Sequence, residues 1–313
     1  MPAEGPQTLQ VHPGQNRSAK NIVLSGASGF LGGHLCSALV RAGHKVTALV
    51  RSTSNTEKLR ALRVRIVEVD RPAELRAYDW QAVELFVHTA TNFGRGGITS
   101  AQLLRDNVLY PLELLALLPS ETPVINTDSF FSKPALNNTY LAGYTLCKQQ
   151  LLDWLHVDKQ RVVVNARLEH MYGPDDSVDK FITGTLEKLL RNEKKIALTD
   201  GLQERDFVFV HDVVEAYLQI ITRLSSLAPG LHEVEVGTGQ SSTVRSLVEL
   251  MKLVSGSETL LDFGAIPIRA GEVKASCADI SRLQAWGWTP QWLQKKGIEQ
   301  CVTELRDRLG MSA

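Results

Sequence analysis

Short, continuous apolar runs alternate with amphipathic stretches through the first half of the chain. The apolar runs occupy residues 22–24, 45–50, 65–69, 85–89, 124–126 and 162–166, and helical periodicity marks residues 34–43, 102–118 and 142–156. Strands that are apolar on both faces are typical of a parallel sheet covered by helices on both sides. The pattern therefore predicts an α/β fold with a doubly wound parallel sheet, whose ligands bind at the carboxyl ends of the strands.

The second half of the chain follows a looser pattern. It predicts helices near residues 181–191, 213–223 and 244–254, with a short strand at 196–198. We therefore divide the chain into a flexible N-terminal extension (1–20), a sheet domain (21–166) and a smaller C-terminal α/β domain that binds substrate (167–313). The last of these can return a strand and a helix to the sheet domain. The extension lacks the apolar segment of a secretory signal.

Charge and cysteine content narrow the range of partners. The 34 Lys and Arg residues balance the 34 Asp and Glu residues, so nothing attracts nucleic acid or an anionic membrane electrostatically. No apolar run reaches the ~20 residues that span a bilayer. The four cysteines lack the paired spacing of zinc sites or redox dithiols. We expect a cytoplasmic protein with no bound metal and no nucleic-acid or membrane partner.

Three glycines stand where the first predicted strand meets the first predicted helix. Gly26, Gly29 and Gly32 permit a tight turn, close approach of the backbone to a pyrophosphate, and close packing of helix on strand. The free N–H groups of the helix N-terminus then attract phosphate. The alternative is an ordinary glycine-rich turn, but the strand-loop-helix context favours a Rossmann-type dinucleotide site.

The end of the second predicted strand bears on the choice between NAD and NADP. An acidic residue there would bind the ribose 2′-hydroxyl of NAD, whereas residues 48–52 read ALVRS and carry no carboxylate. Arg51 can meet a 2′-phosphate, so NADP is favoured over NAD, although a solvated arginine is the plain alternative. Asp70, at the next strand end, either faces the adenine or caps a turn.

A reactive constellation follows further along the chain. Tyr144 and Lys148 are four residues apart in a helical pattern and so share one face. A nearby ammonium favours the phenolate and lowers the pKa of a tyrosine, which can then exchange a proton while hydride moves to or from a nicotinamide. Thr127, at a strand end, can hydrogen-bond the same substrate oxygen.

These motifs together resemble the extended short-chain dehydrogenases/reductases of the nucleotide-sugar epimerase/dehydratase type. The resemblance runs from residue 21 to about 297 and includes GASGFLG at 26–32, HTATN at 88–92, YTLCK at 144–148, RLEHMYGP at 167–174 and RDFVFVHDVVEAY at 205–217. It implies a catalytic triad of Thr127, Tyr144 and Lys148. It also implies that the cofactor is contacted by residues of the glycine loop and of later segments: Ser28, Phe30, Leu31, Thr89, Ala90, Thr91, Asn107, Tyr144 and Lys148.

The substrate side of the site follows from the same resemblance. It implies that Arg205 and Arg269 hold the diphosphate of a nucleotide sugar, and Arg269 suits this because a guanidinium binds oxygens bidentately. A surface ion pair is the alternative for either arginine. Relatives pair the helices at 102–118 and 142–156 into a homodimer, although both apolar stripes could instead be buried within one subunit.

The segment NTDSFFSK at 126–133 narrows the reaction. Related 4,6-dehydratases carry Thr-Asp-Glu here, and this chain has Ser129 in place of the glutamate base. A serine is no general base without an activating partner, so dehydration is disfavoured. The segment is instead similar to 4-ketoreductases of the CDP-abequose and CDP-paratose synthase type, as is His170 where many relatives have asparagine. Asp128, Ser129 and His170 are candidate substrate contacts, and Asp128 and His170 are equally well explained as polar groups of the core or a strand-end cap.

We predict an enzyme that uses NADPH to reduce the C4 ketone of a nucleotide-linked 4-keto-6-deoxyhexose. Tyr144 would protonate the ketone oxygen, Lys148 would lower the Tyr144 pKa and hold the nicotinamide ribose, and Thr127 would orient the ketone. The alternatives are an NAD-linked 4-epimerase or decarboxylase and, from another class, a dinucleotide sensor without turnover.

Overall fold

The structure is a computed structural model that describes residues 19–311 except 76, 134, 135, 137 and 138. The predicted extension at 1–20 therefore lies outside the described residues, apart from its last two. The strands are β1 (Asn21–Ser25), β2 (Lys45–Val50), β3 (Arg65–Glu68), β4 (Leu85–His88), β5 (Val124–Ser129), β6 (Val162–Leu168), β7 (His170–Tyr172), β8 (Lys195–Leu198), β9 (Glu204–Arg205), β10 (Phe207–Phe209), β11 (Gly230–Val236), β12 (Ser242–Thr243) and β13 (Leu260–Phe263).

The predicted doubly wound sheet is confirmed. Within the described residues, seven strands pair in the order β11-β6-β5-β4-β1-β2-β3, and every pairing is parallel. The helices are α1 (Phe30–Arg41), α2 (Glu57–Ala61), α3 (Ser100–Leu104), α4 (Tyr110–Leu115), α5 (Ala142–Val157), α6 (Phe181–Leu190), α7 (Val210–Arg223), α8 (Val244–Ser255), α9 (Ser281–Ala285) and α10 (Gln294–Leu309).

Both faces of the sheet are buried, which explains the continuous apolar strands. Alternate residues of β1 serve opposite cores: Ile22 and Leu24 pack with α1 and α7, whereas Val23 packs with α4 and α5. Strand β11 and helices α7 and α9 come from beyond residue 166, so the C-terminal half supplies part of the core of this domain.

The remaining elements form a second, smaller core. Helices α6, α8 and α10 pack around β8 through apolar side chains that include Leu186, Leu247 and Ile298. Short two-stranded pairings, β10 with β7 and β13 with β8, extend this lobe. No described helix combines the length and the apolar character required to span a membrane.

The helix predicted at 102–118 is formed, but its backbone hydrogen-bonding pattern changes in the middle. It consists of α3, a π-helical turn at Arg105–Leu109, and α4. Pro111 explains the change, because its ring nitrogen cannot donate to the carbonyl of Asn107 four residues earlier. The wider turn changes the direction of the helix around Asn107, a buried residue near the cavity described next.

Candidate active site

A cavity of about 1310 Å³ lies at the carboxyl ends of β1, β2, β4 and β5 and continues between the two lobes. The sheet domain contributes the glycine loop and the end of α5, and the smaller lobe contributes residues of α6, β8 and the segment at 263–272. This is the position at which ligands bind to open α/β sheets, at a point where the strand order reverses.

The glycine loop forms a cradle at the head of α1. Gly26 has φ +73°, and a Cβ there would lie 2.6 Å from the backbone nitrogen of Ala90. A Cβ on Gly32 would collide with the carbonyl of Gly26. Helix α1 begins at Phe30, and among the described residues no side chain caps its first turn. These features fit a pyrophosphate, which would take the place of a side chain and meet the free N–H groups.

The end of β2 is organised by a serine between two charged residues. Ser52 donates to Asp70 twice, from its backbone N–H (3.1 Å) and from its hydroxyl (2.6 Å). These hydrogen bonds lower the pKa of the Asp70 carboxyl. Arg51 is exposed, and both Arg51 and Asp70 line the cavity. Cation and carboxylate therefore lie side by side where the far ribose of a dinucleotide would lie.

The loop after β4 lines the cavity with Thr89, Ala90 and Thr91. The Thr89 hydroxyl donates to the carbonyl of Ser25 (2.8 Å), which ties this loop to the end of β1. Asn107 is buried behind the loop. Its side chain accepts from the backbone N–H of Asn92 (2.8 Å) and from the Thr91 hydroxyl (3.2 Å), and donates to the Asn92 carbonyl (2.8 Å). Asn107, predicted to contact the cofactor, therefore holds in place the loop that lines the cavity.

Helix α5 presents Tyr144 and Lys148 on one buried face, as the four-residue spacing predicted. The Lys148 ammonium donates to the backbone carbonyl of Thr127 (2.7 Å) and lies 5.8 Å from the centre of the Tyr144 ring. Burial lowers the pKa of Lys148, and the Asp128 carboxylate opposes this. The three residues of the predicted triad are therefore brought together.

The immediate surroundings of Tyr144 differ from the prediction in one respect. Burial raises the pKa of Tyr144, while hydrogen bonding with the side chains of Ser129 and Thr91 lowers it. Burial outweighs the hydrogen bonds, so the shift runs opposite to the lowered pKa that the sequence predicted. The Thr127 hydroxyl turns towards the other face of the sheet and lies 2.7 Å from the Tyr217 hydroxyl.

Asp128 belongs to a buried ionic group. Its Oδ2 accepts from Ser132 (2.6 Å), from Asn165 (2.9 Å) and from the Arg167 guanidinium (3.2 Å). Arg167 also pairs with Glu233 (2.7 Å). The contacts of Oδ2 match the polar core group expected from the sequence, while Asp128 also lines the cavity and its Oδ1 has no hydrogen-bond partner among the described residues. Arg167 was missed in the sequence, although it stands in the RLEHMYGP motif and is the β6 partner of Asp128 in the parallel register.

His170 lies on the cavity wall between two phenylalanines. Its ring centroid is 4.3 Å from that of Phe130 and 5.8 Å from that of Phe207. Burial lowers the pKa of His170, and the Glu169 carboxylate, 3.9 Å from its Nδ1, opposes this. Glu169, a second group missed in the sequence, accepts from Lys133 (2.7 Å) and from Ser276 (2.7 Å). A buried carboxylate therefore supports the strand that presents His170.

Both predicted diphosphate ligands line the end of the cavity formed by the smaller lobe. Arg205 is buried and pairs with Glu272 (3.1 Å). Arg269 donates to the Tyr140 hydroxyl (3.1 Å), with its guanidinium 4.9 Å from the centre of that ring. Each of the two cations has a partner at the cavity wall, Glu272 for Arg205 and Tyr140 for Arg269.

Comparison with known proteins agrees with this geometry. The sequence model of the NAD dependent epimerase/dehydratase family matches residues 22–237. The chain belongs to this family. CDP-abequose synthase of Salmonella typhimurium is 33% identical over 306 residues, which cover 91% of this chain and 98% of that protein. The corresponding protein of Salmonella muenchen is 31% identical over 292 residues, 91% of this chain and 97% of that one.

Solved structures give the same fold. UDP-glucose 4-epimerase of Thermotoga maritima, solved with UDP-glucose, superposes with a TM-score of 0.79 at 22% identity, covering 92% of this chain and 99% of that one. UDP-glucose 4-epimerase of Bifidobacterium longum, solved with NAD⁺ and UDP, has a TM-score of 0.79 at 16% identity, covering 93% and 99%. As a member of the NAD dependent epimerase/dehydratase family, the protein is an NAD(P)-dependent enzyme.

Proposed function

We propose that the protein reduces the C4 ketone of a nucleotide-diphosphate-linked 4-keto-6-deoxyhexose with NADPH, and that the substrate is of the CDP-3,6-dideoxyhexose type. The observation that carries this is the chemistry around Tyr144. In the described part of the chain the side chains hydrogen-bonded to its hydroxyl, Ser129 and Thr91, are themselves hydroxyls. The neighbouring carboxylate of Asp128 is paired through its Oδ2 with Arg167. Such a site can pass a proton to a ketone oxygen, whereas a serine or threonine hydroxyl is no base for a proton at C5 unless a partner activates it.

Each residue of the triad has a defined task in this reaction. A bound nicotinamide supplies hydride to C4. Tyr144 donates a proton to the ketone oxygen, so hydride and proton together convert the carbonyl to a hydroxyl. Burial keeps Tyr144 protonated beforehand, which suits a proton donor. Lys148 holds Thr127 through its carbonyl and gives the buried site a positive charge near the oxygen that becomes the hydroxyl.

The preference for NADPH rests on Arg51. It lies at the end of β2 and is free to turn to a 2′-phosphate, whereas Asp70 has its two oxygens engaged by Ser52. A guanidinium binds a phosphate bidentately, and this favours a cofactor with the extra phosphate.

The preference for a nucleotide sugar rests on the far end of the cavity. Arg205, Arg269 and His170 line the same cavity as Tyr144. Binding energy from a diphosphate held there would position C4 at the reacting end, which contributes to rate through orientation. The Salmonella relatives named CDP-abequose synthase support a CDP-linked substrate.

We also propose that the protein is a homodimer formed through α3, α5 and the π-helical turn. These elements expose a set of large apolar side chains on one side of the molecule: Leu104, Leu109, Leu146, Trp154 and Val157. Contiguous exposed apolar groups of this kind mark association surfaces. The cytoplasmic location expected from the sequence remains a prediction.

The decisive experiment follows NADPH absorbance at 340 nm with 4-keto-6-deoxyhexoses linked to CDP, dTDP, GDP or UDP, and identifies the product by NMR. We expect stoichiometric oxidation of NADPH with the CDP-linked ketone and a 4-hydroxy product. A protein that retains NAD and equilibrates 4-epimers without net redox would instead be an epimerase. Dinucleotide binding with no turnover of any nucleotide sugar would indicate a sensor.

A further inference from the structure

Tyr217 is a buried tyrosine that the proposed chemistry does not yet use. It lies on α7, on the side of the sheet opposite α5, and its side chain has 0% exposure. Its hydroxyl is 2.7 Å from Oγ1 of Thr127, a residue 90 positions away in the chain. Thr127 itself lies on the cavity wall, whereas Tyr217 lies behind it.

Thr127 is thereby held at two points. Its backbone carbonyl accepts from the Lys148 ammonium and its hydroxyl meets the Tyr217 hydroxyl, each at 2.7 Å. A threonine side chain has few rotamers, and a short hydrogen bond to Oγ1 selects one of them. Lys148 of the triad therefore holds the backbone of Thr127 in place, and Tyr217, from the other side of the sheet, holds its side chain.

The direction of this hydrogen bond follows from acidity. Either hydroxyl can donate in this pair, and because a phenol is more acidic than an aliphatic hydroxyl, donation by Tyr217 to Thr127 is the favoured arrangement. Burial raises the pKa of Tyr217, so it keeps its proton throughout the range in which the enzyme works. With one Thr127 oxygen lone pair occupied by Tyr217, the Thr127 proton is available to another acceptor, and Thr127 lines the cavity.

We propose that Tyr217 is a positioning residue, which acts through Thr127 to aim the Thr127 hydroxyl at the substrate oxygen that Tyr144 protonates. This inference rests on the proposed reaction at C4. Tyr217 is fully buried and is not among the residues that line the cavity, so its effect on the reaction passes through Thr127.

A double-mutant cycle of Tyr217→Phe and Thr127→Val tests the proposal. Both changes nearly preserve shape and remove one hydroxyl each. We expect Thr127→Val to lower kcat by about 100-fold, the scale of losing one donor to a developing oxyanion. Tyr217→Phe should lower kcat by about tenfold with an unchanged KM for the cofactor, because the donor remains but is no longer aimed. In the Thr127→Val background, Tyr217→Phe should cost nothing further.

Thermal unfolding of the variants without ligands provides a readout independent of turnover. Each single change leaves one hydroxyl of the pair without its partner and should lower the Tm, whereas the double variant replaces both partners and should recover part of the loss. Tyr172→Phe is the matched control, because Tyr172 is a buried tyrosine of the smaller lobe whose hydroxyl donates to the Gln294 carbonyl (3.2 Å). It should affect the Tm but not kcat.

The outcomes separate this proposal from the proposed function. The cycle is measured on whichever C4 reaction the parent protein catalyses, so an epimerase would overturn the reductase function and still report on Tyr217. Additive losses in kcat, or a Tyr217→Phe variant with the parent's kcat, would overturn the positioning role alone. A parent protein inactive in both reactions would overturn both proposals.

Discussion

At the scale of single residues, the site is dominated by burial of groups that ordinarily prefer water. Tyr144, Lys148 and Tyr217 are all buried. Burial raises the pKa of both tyrosines and lowers that of Lys148, which in each case favours the neutral form. A neutral phenol is the form that can give a proton to a ketone. Among the charged side chains beside them, Asp128 and Arg167 are paired with each other.

Tyr144→Phe should abolish turnover and preserve the cofactor site. The change removes the proton donor and little volume, so we expect kcat to fall by at least about 10³-fold, within the usual range for general acid catalysis. The Kd for NADPH, measured by fluorescence titration, should stay within about threefold of the parent value. Retention of full turnover would assign the proton transfer to another group.

Arg51→Ala should reduce the discrimination between NADPH and NADH. We expect the KM for NADPH to rise by about 10- to 100-fold, corresponding to the loss of a charged hydrogen bond, with little change for NADH. Lys45→Ala, at the opposite end of the same strand, removes an equally exposed cation and is the matched control. Equal effects on both cofactors would show that Arg51 does not read the 2′-phosphate.

His88 should make stability depend on pH. Burial, with a contribution from the Lys148 charge, lowers its pKa to about 3, and its Nδ1 lies 2.7 Å from the Ser25 hydroxyl. Between about pH 6.5 and 3 the unfolded chain binds a proton that the folded protein refuses. Stability should therefore fall with falling pH across this window, by up to about 1.4 kcal/mol per pH unit.

Denaturant unfolding of the parent and of His88→Asn at pH 7, 6 and 5 measures this effect. The free-energy difference between the two proteins should shrink as the pH falls, because only the parent carries this buried imidazole. His156→Asn, at an exposed position, controls for loss of a histidine. A difference that is constant with pH would contradict the assignment.

At the scale of elements, the first turn of α1 and the π-helical turn shape the cofactor side. Helix α1 requires glycine where it approaches the loop, and the π-helical turn carries Asn107 to the back of the loop after β4. Two neighbouring glycines in α1 differ sharply in their surroundings. Gly32 abuts the Gly26 carbonyl, whereas a Cβ on Gly33 would meet only the Ala27 carbonyl at 3.8 Å.

Gly32→Ala should displace the Gly26 loop, and we expect it to weaken NADPH binding by about 100-fold or more. Gly33→Ala is the matched control: it places the same methyl group in ordinary contact and should leave binding unchanged. It should also stabilise the helix by up to about 1 kcal/mol, since alanine is the better helix former. Calorimetric titration and thermal unfolding measure both effects. Equal affinity of the two variants for NADPH would contradict the assignment of the glycine loop as the pyrophosphate site.

At the scale of the whole molecule, the cavity depends on both lobes. Tyr144 and the glycine loop come from the sheet domain, whereas Arg205 and Arg269 come from segments beyond residue 200. Helix α7 contacts two parts of the proposed site. It packs on α1, the helix that follows the glycine loop, and its Tyr217 lies against Thr127. The chain crosses from one lobe to the other more than once. Tyr144 and the proposed diphosphate ligands Arg205 and Arg269 therefore line a single cavity.

Trp154→Glu should dissociate the proposed dimer. Trp154 is 58% exposed within the exposed apolar set, and a buried unpaired carboxylate would disfavour association. Light scattering after size exclusion should give twice the chain mass for the parent and the chain mass for the variant. Leu253→Glu, at a 74% exposed leucine on α8, should remain dimeric. A monomeric parent would show that the apolar set does not pair two copies.

Local spacing made part of the site predictable. The three glycines and the pair Tyr144 and Lys148 each lie within a few residues of one another, so strand-to-helix and helical geometry alone bring them together. One local signal was overlooked. Helix α10 buries Ile298, Cys301, Val302 and Leu305 at helical spacing, and that periodicity is readable in the sequence.

What the sequence by itself determined is the parallel sheet, the glycine cradle, the reactive helix and the family, because each follows from short-range patterns. Only the tertiary structure decided the partners of Thr127 and Asp128. Asp128 meets Arg167 through the register of two strands, and Thr127 meets Tyr217 through the packing of α7 on the sheet. Register and packing are set by how whole elements bury their apolar faces, and no spacing along the chain encodes which polar side chains then come into contact.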